Sequence, residues 1–260
     1  VLTMTGWLER NVSWLARAAE RWSPRRVEPL RIRVWLASPV SWDGYNTVQL
    51  EGALQTVIVM RETGRLPDDV FHGIPHGIYV DIRVPIADVQ IGRWTIACAS
   101  SGMPPSIAVE ATRWRRKRVR PDAFGTGMIR INGGPFKALN LPMPTLATPY
   151  LDFFVRGDRE LLADLLRDVG GIGRDSVRGL GSVHGIEIDD DPEDRSLVWN
   201  GRPQRPIPIV SDGGPFDIRN FDVAHYDVRR SGTRAPYWRS WMATMCAVPV
   251  LRVGMMEAAA

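Results

Sequence analysis

Residues 170–182 read Gly170-Gly171-Ile172-Gly173-Arg174-Asp175-Ser176-Val177-Arg178-Gly179-Leu180-Gly181-Ser182, five glycines interrupted by two arginines. Glycine permits positive φ and close backbone approach, so successive N–H groups can converge on an anion while Arg174 and Arg178 supply charge. No Gly-Lys-Ser/Thr closes the segment, which excludes a Walker A loop. It also follows a helical pattern and precedes a strand-like one, the reverse of a dinucleotide-binding fingerprint. A helix C-cap and turn would explain one or two of the glycines, but poorly five with two arginines.

A second constellation is Arg113-Trp114-Arg115-Arg116-Lys117-Arg118-Val119-Arg120, six cations in eight residues around one indole. Most charge runs are solvated faces, but a run this unmixed repels itself and calls for a counter-anion. On an extended hairpin arm it would meet several phosphates, giving steeply salt-dependent binding, and Trp114 would stack on an unpaired base. A third group, Arg229, Arg230, Arg234, Tyr237, Trp238, Arg239 and Trp241, again interleaves cations with aromatics. Core packing, RNA and a protein partner explain it equally well.

The enzymatic alternatives are thinner. His72 and His76 have the spacing of a zinc helix, but the Gly and Pro between them forbid that helix and no third ligand is evident. The acidic run Asp189-Asp190-Asp191-Pro192-Glu193-Asp194 has the ligands for a hard cation, yet sits where a solvated turn is expected. His184, just after the glycines, is the one candidate general base for RNA cleavage, with nothing in the sequence to fix its role. Neither a metal nor a cofactor is expected.

The rest of the composition fits a nucleic-acid partner. The chain has 260 residues, 33 Lys+Arg against 29 Asp+Glu and a net charge of +4, and arginine, whose planar fork suits phosphate and base edges, far outnumbers lysine. Two isolated cysteines, Cys98 and Cys246, offer neither a disulfide framework nor a metal ribbon. With no apolar run near the length of a spanning helix and no basic-then-apolar start, the expectation is a cytoplasmic protein that is neither exported nor membrane-bound.

The elements that must position these residues follow from periodicity. Trp7, Leu8, Val12, Leu15, Ala18, Ala19 and Trp22 recur at helical spacing until Pro24, predicting an amphipathic helix within residues 1–28. Leu30, Ile32, Val34 and Leu36 alternate as a half-buried strand, and residues 47–61 read as a helix packed on it. Residues 78–84 and 92–99 are expected to pair as a hairpin. Residues 101–148 lose the pattern among prolines and glycines and read as a long irregular insertion. A strand at 150–155, a helix at 159–169 carrying Leu161, Leu162, Leu165 and Leu166, and a strand at 183–188 follow. The order β-α-β-(insertion)-β-α-β predicts an α+β, ferredoxin-like (RRM-like) domain over residues 29–188, with a smaller β-rich portion at 189–260.

A helix, then Gly-Ile-Gly, then Arg-Gly-x-Gly entering the last strand of such a sheet resembles the glycine-rich loop of the RAMP superfamily of CRISPR proteins. Leu36-Ala37-Ser38-Pro39-Val40, Gln49-Leu50-Glu51-Gly52-Ala53-Leu54, Gly134-Pro135-Phe136-Lys137, Val155-Arg156-Gly157-Asp158 and Cys246-Ala247-Val248-Pro249 extend the likeness. This ordered set resembles the type IV CRISPR effector backbone subunit similar to Cas five. The resemblance implies a non-catalytic subunit that holds the 5′ handle of a CRISPR RNA and caps a backbone filament. Its implied partners are the multimeric backbone subunit, a large subunit, target nucleic acid and, in some subtypes, a DinG-type helicase. The RNA-binding residues it suggests are Gly171, Gly173, Arg174, Arg178, Gly179, Gly181 and Ser182 of the loop, Arg113, Trp114, Arg115, Arg116, Lys117 and Arg118 of the insertion, and Lys137. The alternatives are a repeat-processing endoribonuclease of the same superfamily and a free-standing RNA-binding module.

Overall fold

The computed structural model describes residues 4–42, 48–71, 80–117, 139–233 and 243–250. The first half runs α1 (Met4–Trp22), β1 (Glu28–Leu36), β2 (Val40–Ser41), α2 (Leu50–Thr63), α3 (Pro67–Phe71), β3 (Asp88–Ile91), β4 (Trp94–Ala97), β5 (Val109–Lys117) and β6 (Leu139–Ala147). The second half runs β7 (Tyr150–Gly157), α4 (Arg159–Leu166), β8 (Val183–Asp190), β9 (Val198–Trp199), β10 (Arg202–Pro203), β11 (Ile207–Pro208), β12 (Tyr226–Gly232) and β13 (Ala243–Pro249). The chain is a mixed α+β protein with antiparallel sheets.

The central strand is β1, flanked by β7 and β8. Its alternation divides the sheet: Leu30, Ile32, Val34 and Leu36 enter a core shared with Leu54, Ile58, Leu162 and Leu165 of α2 and α4, while Arg31, Arg33 and Trp35 take the opposite face. Beyond β7 the edge continues as isolated antiparallel bridges, Ala99 to Val155 and Met103 to Asp152, with the Ser100 N–H donating to the Phe154 carbonyl at 2.7 Å. The order from β8 through β1 and β7 to this broken edge is that of a split βαβ sheet, its second strand reduced to fragments.

Three expectations are corrected. The helix α1 forms, but among its residues from 11 onward the buried ones are Trp14, Ala18 and Trp22, with Leu15 packed against them, whereas Val12 is 56% exposed. Residues 80–84 form no strand: Ile82 and Val84 are buried in the main core and the Ile82 carbonyl accepts from Gln55 Nε2 of α2 at 3.1 Å, so this segment is held by burial and a side-chain bond instead of a ladder. The hairpin is β3–β4, turning at Gly92-Arg93 between paired Ile91 and Trp94, a two-residue connection. Residues 101–148 are also less irregular than expected, because β5 and β6 pair along their whole length there.

Two local devices set the frame. Asp158 caps α4, accepting from the Leu161 N–H at 3.2 Å and from the Arg25 and Arg26 N–H groups at 3.0 and 3.1 Å, which ties the entry to β1 to the exit of β7. Burial opposes its charge, but these backbone donors prevail and hold its pKa below the usual carboxylate range. The stability they confer is present above the unfolded carboxylate pKa and is lost as pH falls through the lowered folded value. A second core joins Ile91, Ile96 and Cys98 of the β3–β4 region to Leu197, Ile207, Phe221 and Ala247. Between the cores Arg205, 1% exposed, donates to Glu51 Oε1 at 2.6 Å and to the Ala97 and Ala99 carbonyls at 2.7 and 3.0 Å. Glu51 of the Gln49–Leu54 motif is thus one half of a buried ion pair.

Candidate nucleic-acid interface

The segment from Leu36 to Trp42 lies between the glycine-rich loop and the insertion and bonds to both. Toward the loop, the Ala37 N–H donates to the Ser182 carbonyl at 2.8 Å, Ser38 Oγ accepts from the Ser182 N–H at 2.9 Å and the Pro39 carbonyl accepts from the Gly181 N–H at 2.9 Å. Toward the insertion, the Leu36 N–H donates to the Pro149 carbonyl at 2.8 Å, Val40 and Ser41 pair with Leu146 and Thr145, and the Trp42 N–H donates to the Pro144 carbonyl at 3.0 Å. The sequence singled out this motif without giving it a role. Its work is to place two distant candidate sites at one end of the sheet.

The loop is a closed structure. The Ile172 N–H donates to the Gly181 carbonyl at 2.9 Å, Gly171 bridges Ser182, and Ile172 and Leu180 are buried at 1% and 2% exposure. At Gly181, with φ +60°, a Cβ would fall on the Ile172 carbonyl oxygen. Gly179, with φ +82°, has open space around it. Gly173 rests on Val40, whose Cγ2 lies 3.0 Å from where a Cβ would stand. Within the loop a 3-10 turn, Ser176–Arg178, carries the tip outward. There the side chains of Arg174 and Arg178 are 83% and 55% exposed, and both face Asp175, to which Arg178 is ion-paired. The loop therefore splits into a base built around buried Ile172, Leu180 and Gly181, with Gly171 and Ser182 half-buried beside them, and a tip where Arg174, Val177, Arg178 and Gly179 are exposed. Asp175, the brace of the tip, was missed; its adjacency to two arginines was the available signal.

The basic run lies on a two-stranded ribbon. β5 and β6 pair from Val109 with Ala147 to Lys117 with Leu139, which extends the ribbon about 27 Å at a strand's rise per residue. Arg113, Trp114, Arg115, Arg116 and Lys117 stand opposite Met143, Pro142, Leu141, Asn140 and Leu139. Pro142, beyond the reach of β2, suits a free strand edge, since it cannot donate to a further neighbour, and Pro144 uses its carbonyl instead to accept from Trp42. Arg113 is exposed and Trp114 is 62% exposed. Arg118 and Lys137 lie outside the described residues, as do His72, His76, Arg234, Tyr237, Trp238, Arg239 and Trp241.

The other candidates are occupied or inert. The acidic run is matched by arginines: Asp189 accepts from Arg31 at 2.6 Å, Asp190 pairs with Arg159, Asp191 accepts from the Arg195 N–H and Nε at 2.8 Å each, and Asp194 faces Arg156 at 3.5 Å. Among the described residues no group of three His, Cys, Asp or Glu is placed to hold a metal ion. Burial pushes the Cys98 thiol up to about 11 and the Cys246 thiol up to about 12, so both stay protonated and unreactive. His184 is exposed at the start of β8 beside the Trp35 ring. No helix of the described residues is long and apolar enough to cross a membrane.

Fold and site define an α+β protein whose antiparallel sheet gathers a glycine-rich loop and an arginine-bearing ribbon at one end. A family model described as CRISPR type IV associated protein Csf3 matches residues 107–250, more than half of the chain, and the chain belongs to that family. The matched span takes in the ribbon, β7, α4, the glycine-rich loop and the C-terminal strands. No curated protein matches the chain.

Proposed function

We propose that this chain is the non-catalytic, CRISPR RNA-binding subunit, similar to Cas five, that holds the 5′ handle of the guide and caps the backbone filament of a type IV ribonucleoprotein. The observation that carries the reading is the Leu36–Trp42 segment, which fixes an arginine-tipped glycine loop on one side and the root of the basic ribbon on the other. Single-stranded RNA is gripped by phosphate contacts and by stacking of splayed bases. The loop tip offers two arginines for a phosphate, and the ribbon offers a row of cations with Trp114 among them. The partners that go with this role are the multimeric backbone subunit, the large subunit, the target nucleic acid and, in some subtypes, a DinG-type helicase, assembled in the cytoplasm without a cofactor.

The test is titration of the purified full chain with labelled repeat-derived RNA, followed by incubation with and without divalent metal. Salt-sensitive binding of intact RNA is expected. Specific cutting that His184→Ala abolishes would move the chain to the repeat-processing ribonucleases instead. Failure to bind the RNA at any salt concentration would remove the proposal.

A further inference from the structure

The face of the central sheet turned away from the helices carries an aromatic cluster that neither hydrophobic core includes. Trp35 of β1 stands in one row with Tyr150 of β7 and Gly185 of β8, and His184 comes just before that glycine, at the sheet edge where the β1–β8 register shifts. The Trp35 and Tyr150 rings meet edge to face, with centroids 5.0 Å apart at 69°, and the His184 ring lies 6.5 Å from Trp35. Gly185 lies against the indole, at ordinary van der Waals distance: a Cβ there would stand 3.6 Å from Trp35. Arg33 bonds Asp152 through two parallel contacts of 2.8 Å and places its guanidinium 3.9 Å from the Tyr150 centroid. The hydrogen bond to Asp152 is the chief cause of a pKa for Arg33 above its ordinary value, so this charge is fixed and already matched.

A packing role alone would place these rings in one of the cores. Instead Trp35 and Tyr150 are half-buried and His184 is exposed, and the row sits where the two basic elements meet. The glycine-rich loop ends at Ser182, two residues before His184, and the ribbon ends at Ala147, three residues before Tyr150. On the RNA-binding reading, a strand held by Arg174 and Arg178 of the loop and by Arg113 of the ribbon would cross this row with its bases toward the sheet. We propose that Trp35, Tyr150 and His184 form a stacking site for an unpaired base of a bound single-stranded nucleic acid, with Arg33 as the positioning residue that holds Tyr150. The inference rests on the RNA-binding reading and adds a site to it.

The test uses the full chain and a repeat-derived RNA in which each base in turn is removed to leave an abasic sugar. One or two abasic positions are expected to weaken binding roughly 5- to 160-fold, the range for loss of one stacked base. The same positions should have no effect on a Trp35→Leu, Tyr150→Leu variant, while the salt slope of both proteins stays equal. Because that variant could lose its fold, photocrosslinking of the unaltered chain to 5-iodouridine-substituted RNA gives a second reading, with adducts expected on Trp35, Tyr150 or His184. Binding indifferent to abasic sites near this face, or adducts confined to other aromatics such as Trp114, overturns the stacking site and leaves the RNA-binding reading standing. No binding of the intact RNA overturns both.

Discussion

The glycine-rich loop is tied to its surroundings by hydrogen bonds to the Ala37 and Pro39 backbone and to the Ser38 hydroxyl, whereas the outer half of the basic ribbon pairs only one strand to the other among the described residues. In the loop base, identity at Gly181 is set by the Ile172 carbonyl oxygen occupying the place of a side chain. In the ribbon, identity is set by charge: an exposed arginine and an exposed indole contribute little to holding two strands together. A mutation in the first region therefore reports on folding before it reports on binding, and a mutation in the second reports on binding alone. For this reason a glycine-to-valine exchange at positions 179 and 181 together would mix the two effects.

The comparison breaks most visibly at Gly181. Gly181→Ala should destabilise the protein by about 3 kcal/mol in a denaturant titration, from a strained backbone and a backbone clash together. A neutral result would mean that the loop base tolerates displacement and is no scaffold. Next comes the ribbon: alanine at Arg113, Arg115 and Arg116 should leave the melting temperature nearly unchanged and weaken binding across RNA sequences. Each single-strand phosphate contact contributes about 0.7 to the slope of log affinity against log salt, so three lost contacts should flatten it by about two. An unchanged slope with loss of a protein partner would make the ribbon a docking element. Trp114→Ala sharpens the distinction, costing about 1 to 3 kcal/mol of binding if the indole stacks on a base, with the slope intact. The smallest effect belongs to Gly179→Ala, about 1 kcal/mol of stability from its positive φ in open space. Its RNA affinity should fall only if the tip backbone meets a phosphate.

Much of this arrangement was legible in the chain. The alternation of Leu30, Ile32, Val34 and Leu36 marked the central strand because one face of it is buried, and the spacing of Leu161, Leu162, Leu165 and Leu166 marked the helix α4, whose Asp158 cap went unread. Residues 80–84 misled because an extended segment buried on one face shows the same alternation as a strand; only the ladder distinguishes them, and its partner is remote. The Ile91-Gly92-Arg93-Trp94 turn was overlooked although two-residue hairpins have a local signal. In α1 the helical period was clear, but Trp14 falls on the stripe that the tertiary contacts choose, and several apolar stripes fitted the same residues. For the site, the glycines and arginines were readable as residue types. That Leu36–Trp42 joins loop to ribbon and that Trp35 meets Tyr150 and His184 depend on contacts between residues far apart in sequence, whereas the Asp175 brace is local and was there to be read beside its two arginines.

The central claim is that this chain holds a guide RNA inside a type IV assembly, and co-purification tests it most directly. The full chain, tagged and co-expressed with a CRISPR array and the neighbouring type IV subunits, is recovered and its bound nucleic acid sequenced. The account predicts a small RNA of uniform 5′ end bearing the repeat-derived handle, together with several copies of a backbone subunit, and loss of that RNA when Arg113, Arg115 and Arg116 are changed to alanine. A monomer recovered free of nucleic acid under the same conditions would contradict it.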